Sequence, residues 1–222
     1  MAGLALLAST HAAAIDMVAG GGPVSIPVST LQGARFHRTL RQQFDFSCGS
    51  AAVASLLTYQ YGVKTTEQDA FDFMYAHGDQ DKIRREGFSM LDMKRYLDDQ
   101  GFVADGYEVP LDKLAQTRVP AIALVNDGGY HHFVVVKGLR AGRVLLGDPS
   151  RGTRLMARED FDAAWADRVL FVIHAQSRAD VRTAAFNAAD DWSRVPLAPL
   201  GNGVDRGGLD SATLFLMGPG DF

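Results

Sequence analysis

Residues 42–50 read QQFDFSCGS and contain Cys48, the single cysteine among 222 residues. A lone cysteine cannot form an intramolecular disulfide, and one thiol is too few for a cysteine-rich metal site. The apolar pattern that follows predicts a buried helix over residues 47–61, with Ser47 as its N-cap. The macrodipole at a helix N-terminus favours an anion. Cys48 is therefore a candidate thiolate nucleophile.

The alternative is that Cys48 is a packing residue, because free cysteine is among the most buried residue types. Its position at the start of a helix argues against this alternative, since core cysteines usually lie in the middle of an element. Gly49 follows directly, and its missing side chain would let a substrate backbone approach closely. We therefore favour the catalytic interpretation.

Gln42 lies six residues before the cysteine. In papain-like sites an upstream glutamine donates its side-chain amide to the developing oxyanion, together with the backbone N–H of the cysteine. Gln43 competes for this role, and a solvated loop glutamine is the alternative for both. The sequence favours Gln42.

A candidate base and a candidate carboxylate follow much further along the chain. Residues 130–136 read YHHFVVV and predict a strand that carries His131 and His132. The run LLGDP at 145–149 supplies Asp148, which by itself would be interpreted as a turn opener before proline. Cysteine, then histidine, then aspartate is the order of papain-like thiol hydrolases.

Strand alternation distinguishes the two histidines, because His131 and His132 point to opposite faces of their strand. Residues 140–142 read RAG and are interpreted as a three-residue hairpin loop with Gly142 in the left-handed region. Paired residue numbers then sum to an even value, which puts Asp148 on the face of His132. We predict that His132 is the base and Asp148 its orienter; a two-residue loop would undo this argument.

The remaining pattern places helices first and strands later. Helices are expected after TTEQ at residues 65–68 and after Ser89, with a charged loop over residues 78–87 between them. From Val119 onward the period becomes strand-like. The predicted strands are residues 119–125, 131–139, 143–148, 154–157 and 169–175, with a short helix at 159–166. This segregation predicts an α+β fold with N-terminal helices packed on an antiparallel sheet.

Composition narrows the possible functions. Hydrophobic residues make up 47% of the chain and the net charge is −4, which is typical of one globular domain without an electrostatic footprint for nucleic acid. No run reaches the roughly 18 apolar residues of a membrane span. Neither a cofactor nor a metal is predicted, because Cys48, His132 and Asp148 offer no spaced ligand pair within one element.

The N-terminus resembles an export signal. Residues 3–8 are mostly apolar and residues 11–14 resemble a small-residue cleavage site, although no basic residue precedes them. We expect a signal segment at residues 1–14 and a periplasmic location; an apolar N-terminus without targeting function is the alternative. An extension at residues 15–35, the main domain, and a tail of short helix and loop at residues 177–222 complete the expected organisation.

The sequence resembles the double-glycine leader peptidases, the bacteriocin-processing cysteine peptidases of papain-like fold. The resemblance covers roughly residues 36–176 in three blocks that agree in order and spacing: Gln42-x5-Cys48-Gly49, His132 within HFVVV, and Asp148 within GDP. It implies an oxyanion donor at Gln42, a nucleophile at Cys48, a general base and acid at His132, and an orienter at Asp148. Ser47 departs from the family, in which aspartate often precedes the cysteine.

The resemblance implies a cysteine endopeptidase that cleaves after Gly-Gly in a leader or secreted peptide. Many relatives are domains of ABC exporters, but neither a membrane span nor a Walker A motif occurs here, so we expect a stand-alone member. Components of a fibre or peptide secretion system are expected partners. The alternatives are a catalytically silent binding or chaperone module of such a system, and another papain-like acyl transferase.

Overall fold

The computed structural model describes residues 14–19, 22–27, 31–174, 185–193 and 195, with side chains from residue 33 onward. It contains a two-stranded hairpin and a six-stranded sheet. The strands are β1 (Ala14–Ala19), β2 (Gly22–Pro27), β3 (Val103–Tyr107), β4 (Ala121–Asp127), β5 (Tyr130–Arg140), β6 (Arg143–Asp148), β7 (Gly152–Ala157) and β8 (Trp165–His174).

The helices precede most of the sheet along the chain, as the sequence predicted. They are α1 (Leu31–Arg35), α2 (Cys48–Ser55), α3 (Glu67–His77), α4 (Gln80–Glu86), α5 (Met90–Asp99), α6 (Asp112–Thr117), α7 (Arg158–Ala164) and α8 (Ala189–Ser193). The large sheet has the order β3-β8-β4-β5-β6-β7, and every neighbouring pair is antiparallel. The predicted α+β architecture, with N-terminal helices packed on an antiparallel sheet, is confirmed.

Helix α2 is the central helix, and every one of its residues is buried. Its apolar character on all sides explains this position, because no face of the helix is suited to water. It continues as a π-helical segment, Leu56–Tyr61, which ends at Gly62 with φ 76°. The Tyr61 hydroxyl donates to the carbonyl of Ile173 at 2.7 Å, which joins the end of this segment to β8.

The two faces of the sheet bury different apolar clusters. Phe133 and Val135 of β5 pack in one cluster with α2, α3 and α5. Val134 and Val136 point to the opposite face, where they join Leu114 of α6 and other residues. Because alternate residues of β5 are buried on both faces, this strand reads as a continuous apolar run, as expected for the centre of a sheet.

Two elements differ from the prediction. The charged segment expected as a loop forms α4, whose N-cap Asp79 accepts a hydrogen bond from the amide of Lys82. Ile83 is its buried residue. Strand β3 was not predicted, because Asp105 and Gly106 disfavour a strand; pairing with β8 imposes it. The capping box of α3 joins Thr66 and Asp69, one position later than the predicted pattern.

The ends of the chain fall partly outside the described residues. Within the expected extension at residues 15–35, strand β2 pairs with β1 in the two-stranded hairpin. Residues 1–13 of the expected signal segment lie outside the described part, and so do residues 196–222 of the expected tail. Within the described ranges, no helix has the length and apolar character needed to cross a membrane.

Candidate active site

Cys48 is the first residue of α2 and is only 4% exposed. The loop before it is tightly folded: the Ser47 hydroxyl donates to the carbonyl of Phe44 at 3.0 Å and lies 3.1 Å from the Phe44 amide. Ser47 therefore makes no side-chain cap to the helix, in contrast to the prediction. The amides of the first turn of α2 stay free of a side-chain cap, which leaves the positive end of the helix directed at the thiol.

His132 and Asp148 form the predicted pair. The Nε2 atom of His132 lies 2.7 Å from Oδ1 of Asp148, and both residues are almost completely buried. The assumption behind this prediction was wrong in one respect. The hairpin closes with two residues, because Arg140 pairs with Arg143, and Ala141 and Gly142 both have positive φ.

A β-bulge restores the alignment that the shorter loop would have lost. Near the turn, the residue numbers of two paired residues sum to an odd value, as for Arg140 and Arg143. Beyond Lys137 they sum to an even number, as in Val136 with Leu146. The extra residue shifts the register by one position, so that Asp148 lies on the face of His132.

The Asp148 carboxylate accepts hydrogen bonds from several directions. Besides His132, its Oδ1 accepts from the Ser150 amide at 2.9 Å, the Ser150 hydroxyl at 2.8 Å and the Arg151 amide at 3.2 Å. Its Oδ2 accepts from Nε of Arg154 at 2.8 Å. Burial acts to raise the pKa of Asp148, but these donors and the charges of His132 and Arg154 lower the pKa well below its usual value.

His132 is held in its charged form by its neighbours. Burial lowers its pKa, but the hydrogen bond with Asp148 and the interaction with Cys48 outweigh burial and raise the pKa to about 9. Nδ1 is the ring nitrogen that Asp148 does not use. It is buried and has no hydrogen bond of good geometry with the described residues, but the Cys48 side chain lies close enough to raise the pKa of the ring by hydrogen bonding and by its charge. An imidazolium with its second nitrogen free of other partners can exchange a proton with a thiol or a substrate.

A cleft of about 940 Å³ leads to the thiol. One wall is formed by residues 84–91, and the other by residues of the β4–β5 hairpin, including Gly129, Tyr130 and His131. The Tyr130 hydroxyl donates to the carbonyl of Asp45, so this side chain connects the hairpin to the loop that precedes Cys48. Tyr130 and the loop before Cys48 therefore belong to one continuous wall of the cleft.

Gly49 has a different function from the one that the sequence suggested. A Cβ on Gly49 would lie 3.1 Å from the Cβ of Phe88 and 3.6 Å from the ring of Phe133, so the missing side chain permits helix packing and not substrate approach. Gly128 and Gly129, with φ 65° and 94°, form the two-residue turn of the β4–β5 hairpin. Gly129 also lines the cleft.

The two glutamines are placed differently. The Nε2 atom of Gln42 donates to the carbonyls of Phe44 at 2.9 Å and Asp45 at 3.3 Å, and its backbone amide donates to the carbonyl of Pro149. Gln42 therefore connects the loop before the thiol to the loop after Asp148. Gln43 is exposed. The role of Gln42 as an oxyanion donor stays a prediction.

Three residues of the site were missed by sequence reasoning: Tyr130, Ser150 and Arg154. The Asp-Pro-Ser pattern is a signal for a turn in which the serine bonds back to the aspartate, and it could have identified Ser150. Arg154 comes from the strand after the turn, two residues beyond the start of β7, and only the register of β6 and β7 brings it to Asp148. His131 lies in the cleft wall and does not contact Asp148.

Comparisons with known proteins give the family of the chain. Residues 37–177 match the Peptidase C39 family. The chain is 39% identical over 160 residues to the "Probable functional amyloid protease FapD" of Pseudomonas fluorescens, which covers 72% of this chain and 71% of the relative. It is 40% identical over 167 residues to the protein of the same name in Pseudomonas aeruginosa, which covers 74% of each chain.

A solved structure shows the same fold. The peptidase domain of Streptococcus ComA, a bi-functional ABC transporter of a quorum sensing pathway, has a TM-score of 0.53 at 20% identity. The alignment covers 61% of this chain and 96% of that domain. The family match extends over more than half of the chain, and it includes the helix that carries the thiol and the strands that carry the imidazole and carboxylate. The chain belongs to the Peptidase C39 family and is a cysteine peptidase.

Proposed function

We propose that Cys48, His132 and Asp148 form the catalytic triad and that the enzyme cleaves peptides after a Gly-Gly motif. The observation that carries this proposal is the buried His132–Asp148 pair beside a cysteine at a helix N-terminus. The thiolate attacks the peptide carbonyl, and the His132 imidazolium protonates the leaving amine. Water, deprotonated by the same imidazole, then hydrolyses the thioester.

The electrostatics of His132 support this sequence of steps. With a pKa of about 9, the imidazole is protonated at neutral pH and can supply the proton for the leaving amine. The oxyanion is stabilised by the backbone N–H of Cys48 and the side chain of Gln42 in this proposal. The Gln42 amide exchanges a bond to a loop carbonyl for one to the substrate oxygen. Losing such a donor typically costs about 3–4 kcal/mol in the transition state.

The position of Tyr130 supports the glycine preference. Tyr130 lines the cleft that contains Cys48, and its hydroxyl donates to the carbonyl of Asp45 in the loop before the thiol. A substrate residue with a Cβ at either position before the cleaved bond would meet this ring, whereas glycine would not. Tyr130 is in this proposal the residue that selects for Gly-Gly.

The natural substrate in this proposal is a secreted fibre-forming protein or peptide, and the partners are components of its secretion system. The names of two relatives, both functional amyloid proteases, support this substrate class. The apolar and small residues within 1–14 support export to the periplasm. We infer that the peptidase domain spans residues 36–176, between an N-terminal extension and a C-terminal tail.

A peptide library tests the cleavage specificity. We expect the wild-type enzyme to cleave peptides with Gly-Gly before the cleaved bond at least about tenfold faster than matched Ala-Ala peptides. Tyr130→Ala should reduce this preference by admitting the alanine side chains. Tyr107→Ala, a change of an exposed tyrosine on β3 outside the cleft lining, is the matched control and should keep it.

Other outcomes separate the alternatives. Equal cleavage of both peptide sets by the wild-type enzyme would contradict the Gly-Gly preference but not the triad. Transfer of the acyl group of a glutamine side chain to an added amine, with release of ammonia and without peptide cleavage, would identify an acyl transferase. Secretion of the natural substrate that is unchanged by Cys48→Ala would identify a silent binding or chaperone module.

A further inference from the structure

The β-bulge at Lys137 determines whether the catalytic pair can form. With the same number of residues but no bulge, the register near the turn would continue, and Asp148 would pair opposite residue 135. Its side chain would then lie on the opposite face of the sheet from His132, because alternate residues point to opposite faces. The bulge is therefore a requirement for the hydrogen bond between His132 and Asp148.

The backbone groups that the bulge disturbs are satisfied by a distant segment. The Asn187 amide donates to the carbonyl of Lys137 at 2.9 Å, and its side-chain Oδ1 accepts from the amide of Leu139 at 2.9 Å. Gly138 lies between these two bonds, and a Cβ there would be 2.4 Å from Oδ1 of Asn187. Asn187 is thus fitted to the bulge, where it replaces ladder bonds that the sheet cannot make.

The side chain of the bulged residue is fixed by the same segment. Lys137 is 2% exposed, and its Nζ donates to Oδ1 of Asp191 at 2.6 Å and to the carbonyl of Arg38 at 2.9 Å. Asp191 is equally buried and also pairs with Nε of Arg38 at 3.2 Å. Burial lowers the pKa of Lys137, and the charge of Asp191 opposes this effect, while Arg38 adds to it. A buried lysine without its carboxylate is costly.

The lysine side chain also reaches the residue before the catalytic carboxylate. A Cβ on Gly147 would lie 3.0 Å from Cδ of Lys137 and 3.1 Å from Oγ1 of Thr39. The stem of Lys137 therefore packs directly on the backbone that leads into Asp148. This contact explains the glycine of the Gly-Asp-Pro motif as a packing requirement.

We propose that Asn187 and Asp191 are positioning residues for the active site, which hold the Lys137 bulge and, through it, the alignment of Asp148 with His132. Both belong to the described segment 185–193, which lies beyond the family match over residues 37–177. This inference rests on the proposed triad. Phe186 packs in a core cluster, and Arg140 contacts the Trp192 ring. Both contacts anchor the segment, but neither involves His132 or Asp148.

The test is the titration of the His132 imidazole by NMR in the full-length chain, with the His132→Gln spectrum used for assignment. In the wild type we expect a pKa near 9. Asp191→Asn should lower this pKa by at least about one unit, because a loosened Asp148 no longer stabilises the imidazolium. The matched control is Asp190→Asn, a change of the exposed neighbour on the same helix, and it should leave the pKa unchanged.

A double variant tests whether Asp191 acts on the His132–Asp148 pair through Lys137. Lys137→Met combined with Asp191→Leu removes both buried charges while keeping the number of residues in the strand, and it should restore the raised pKa of His132. If Asp191→Asn prevents folding, the pKa of His132 is measured in Asn187→Ala instead, and the same fall in pKa is expected.

The inference is wrong if the pKa of His132 is as high in folded Asp191→Asn, or in its substitute Asn187→Ala, as in the wild type. It is also wrong if Asp190→Asn lowers the pKa equally, or if the double variant fails to restore it. A wild-type pKa near the ordinary 6.5 would have a different meaning, because it would contradict the triad itself and remove the basis of the inference with it.

Discussion

Asp148 combines two functions that the sequence presented as alternatives. Its Oδ1 accepts the amides of Ser150 and Arg151, as a turn-opening aspartate does, and the same oxygen bonds to His132. The turn therefore fixes the carboxylate that orients the imidazole. Because the other oxygen, Oδ2, bonds to Arg154, rotation of the carboxylate would break bonds on both sides. The geometry of the pair is preorganised before substrate binds.

Arg154→Gln should reduce peptide hydrolysis. The change removes a charge-assisted hydrogen bond to Asp148, of the class worth about 1.5–3 kcal/mol, so we expect kcat to fall by about tenfold or more. Arg151→Gln is the matched control, because the Arg151 side chain pairs with Asp127 in an exposed ion pair. Steady-state kinetics on one peptide substrate compare the kcat of the two variants. Equal activity of the two variants would show that Oδ2 needs no partner.

The β5–β6 hairpin shows how far local sequence patterns can predict an active site. The continuous apolar runs in HFVVV and in residues 143–148 predict both strands correctly, and a turn at Ala141-Gly142 follows from the glycine. The bulge could not be predicted, because its partners Asn187 and Asp191 are about fifty residues away in sequence. The correct pairing of His132 with Asp148 was thus reached although the assumed loop length was wrong.

The same limit applies to α4 and β3, which the sequence did not predict. Helix α4 has one buried residue, Ile83, so it lacks the repeating apolar face on which helix prediction depends. Strand β3 contains Asp105 and Gly106 and forms through its pairing with β8, which begins about sixty residues later. In both elements tertiary contacts override weak local preferences.

Substitutions in the β5–β6 turn should change stability in opposite directions. Ala141 has φ 49°, a left-handed conformation that asparagine adopts more easily. Ala141→Asn should therefore raise the free energy of unfolding by about 0.5–1 kcal/mol. Gly142→Ala should lower it, because Gly142 has φ 70°. Urea denaturation measures both changes in the free energy of unfolding, provided that its slope with urea concentration is the same in all variants. A loss of stability in Ala141→Asn would contradict the two-residue turn.

The proposed active site lies where the two layers of the molecule meet. The helical layer contributes Cys48, whereas the sheet contributes His132 and Asp148. The layers are held together by the cluster that joins α2 to Phe133 and its neighbours. Formation of the site therefore depends on the packing of the whole domain, and its ionisation state is coupled to global stability.

Stability should fall as the pH rises from about 6.5 to 9. The pKa of His132 is about 9 in the folded protein and near 6.5 when unfolded, so the folded state binds more protons in this window. The contribution of His132 is complete below about pH 6.5 and is lost as the pH rises through about 9. Its full size is on the order of 3 kcal/mol.

Urea denaturation of the wild type and of His132→Gln at several pH values measures this contribution. The difference in unfolding free energy between the two proteins should shrink across the window, because groups common to both cancel. A constant difference from pH 6 to 9.5 would mean that the imidazole is not preferentially protonated in the folded protein.

The bulge at Lys137 has a consequence for how sequences of this fold can diverge. His132 and Asp148 lie 16 positions apart, and this spacing includes the two-residue turn and the bulged residue as well as the paired residues. Loss of the bulged residue or gain of a turn residue would change the spacing by one but leave every ladder pair in place, so the imidazole and carboxylate would stay on one face. A gap in an alignment at the bulge or at the turn is therefore compatible with an intact pair, whereas a gap elsewhere in these strands shifts the register and turns one of the two side chains to the other face.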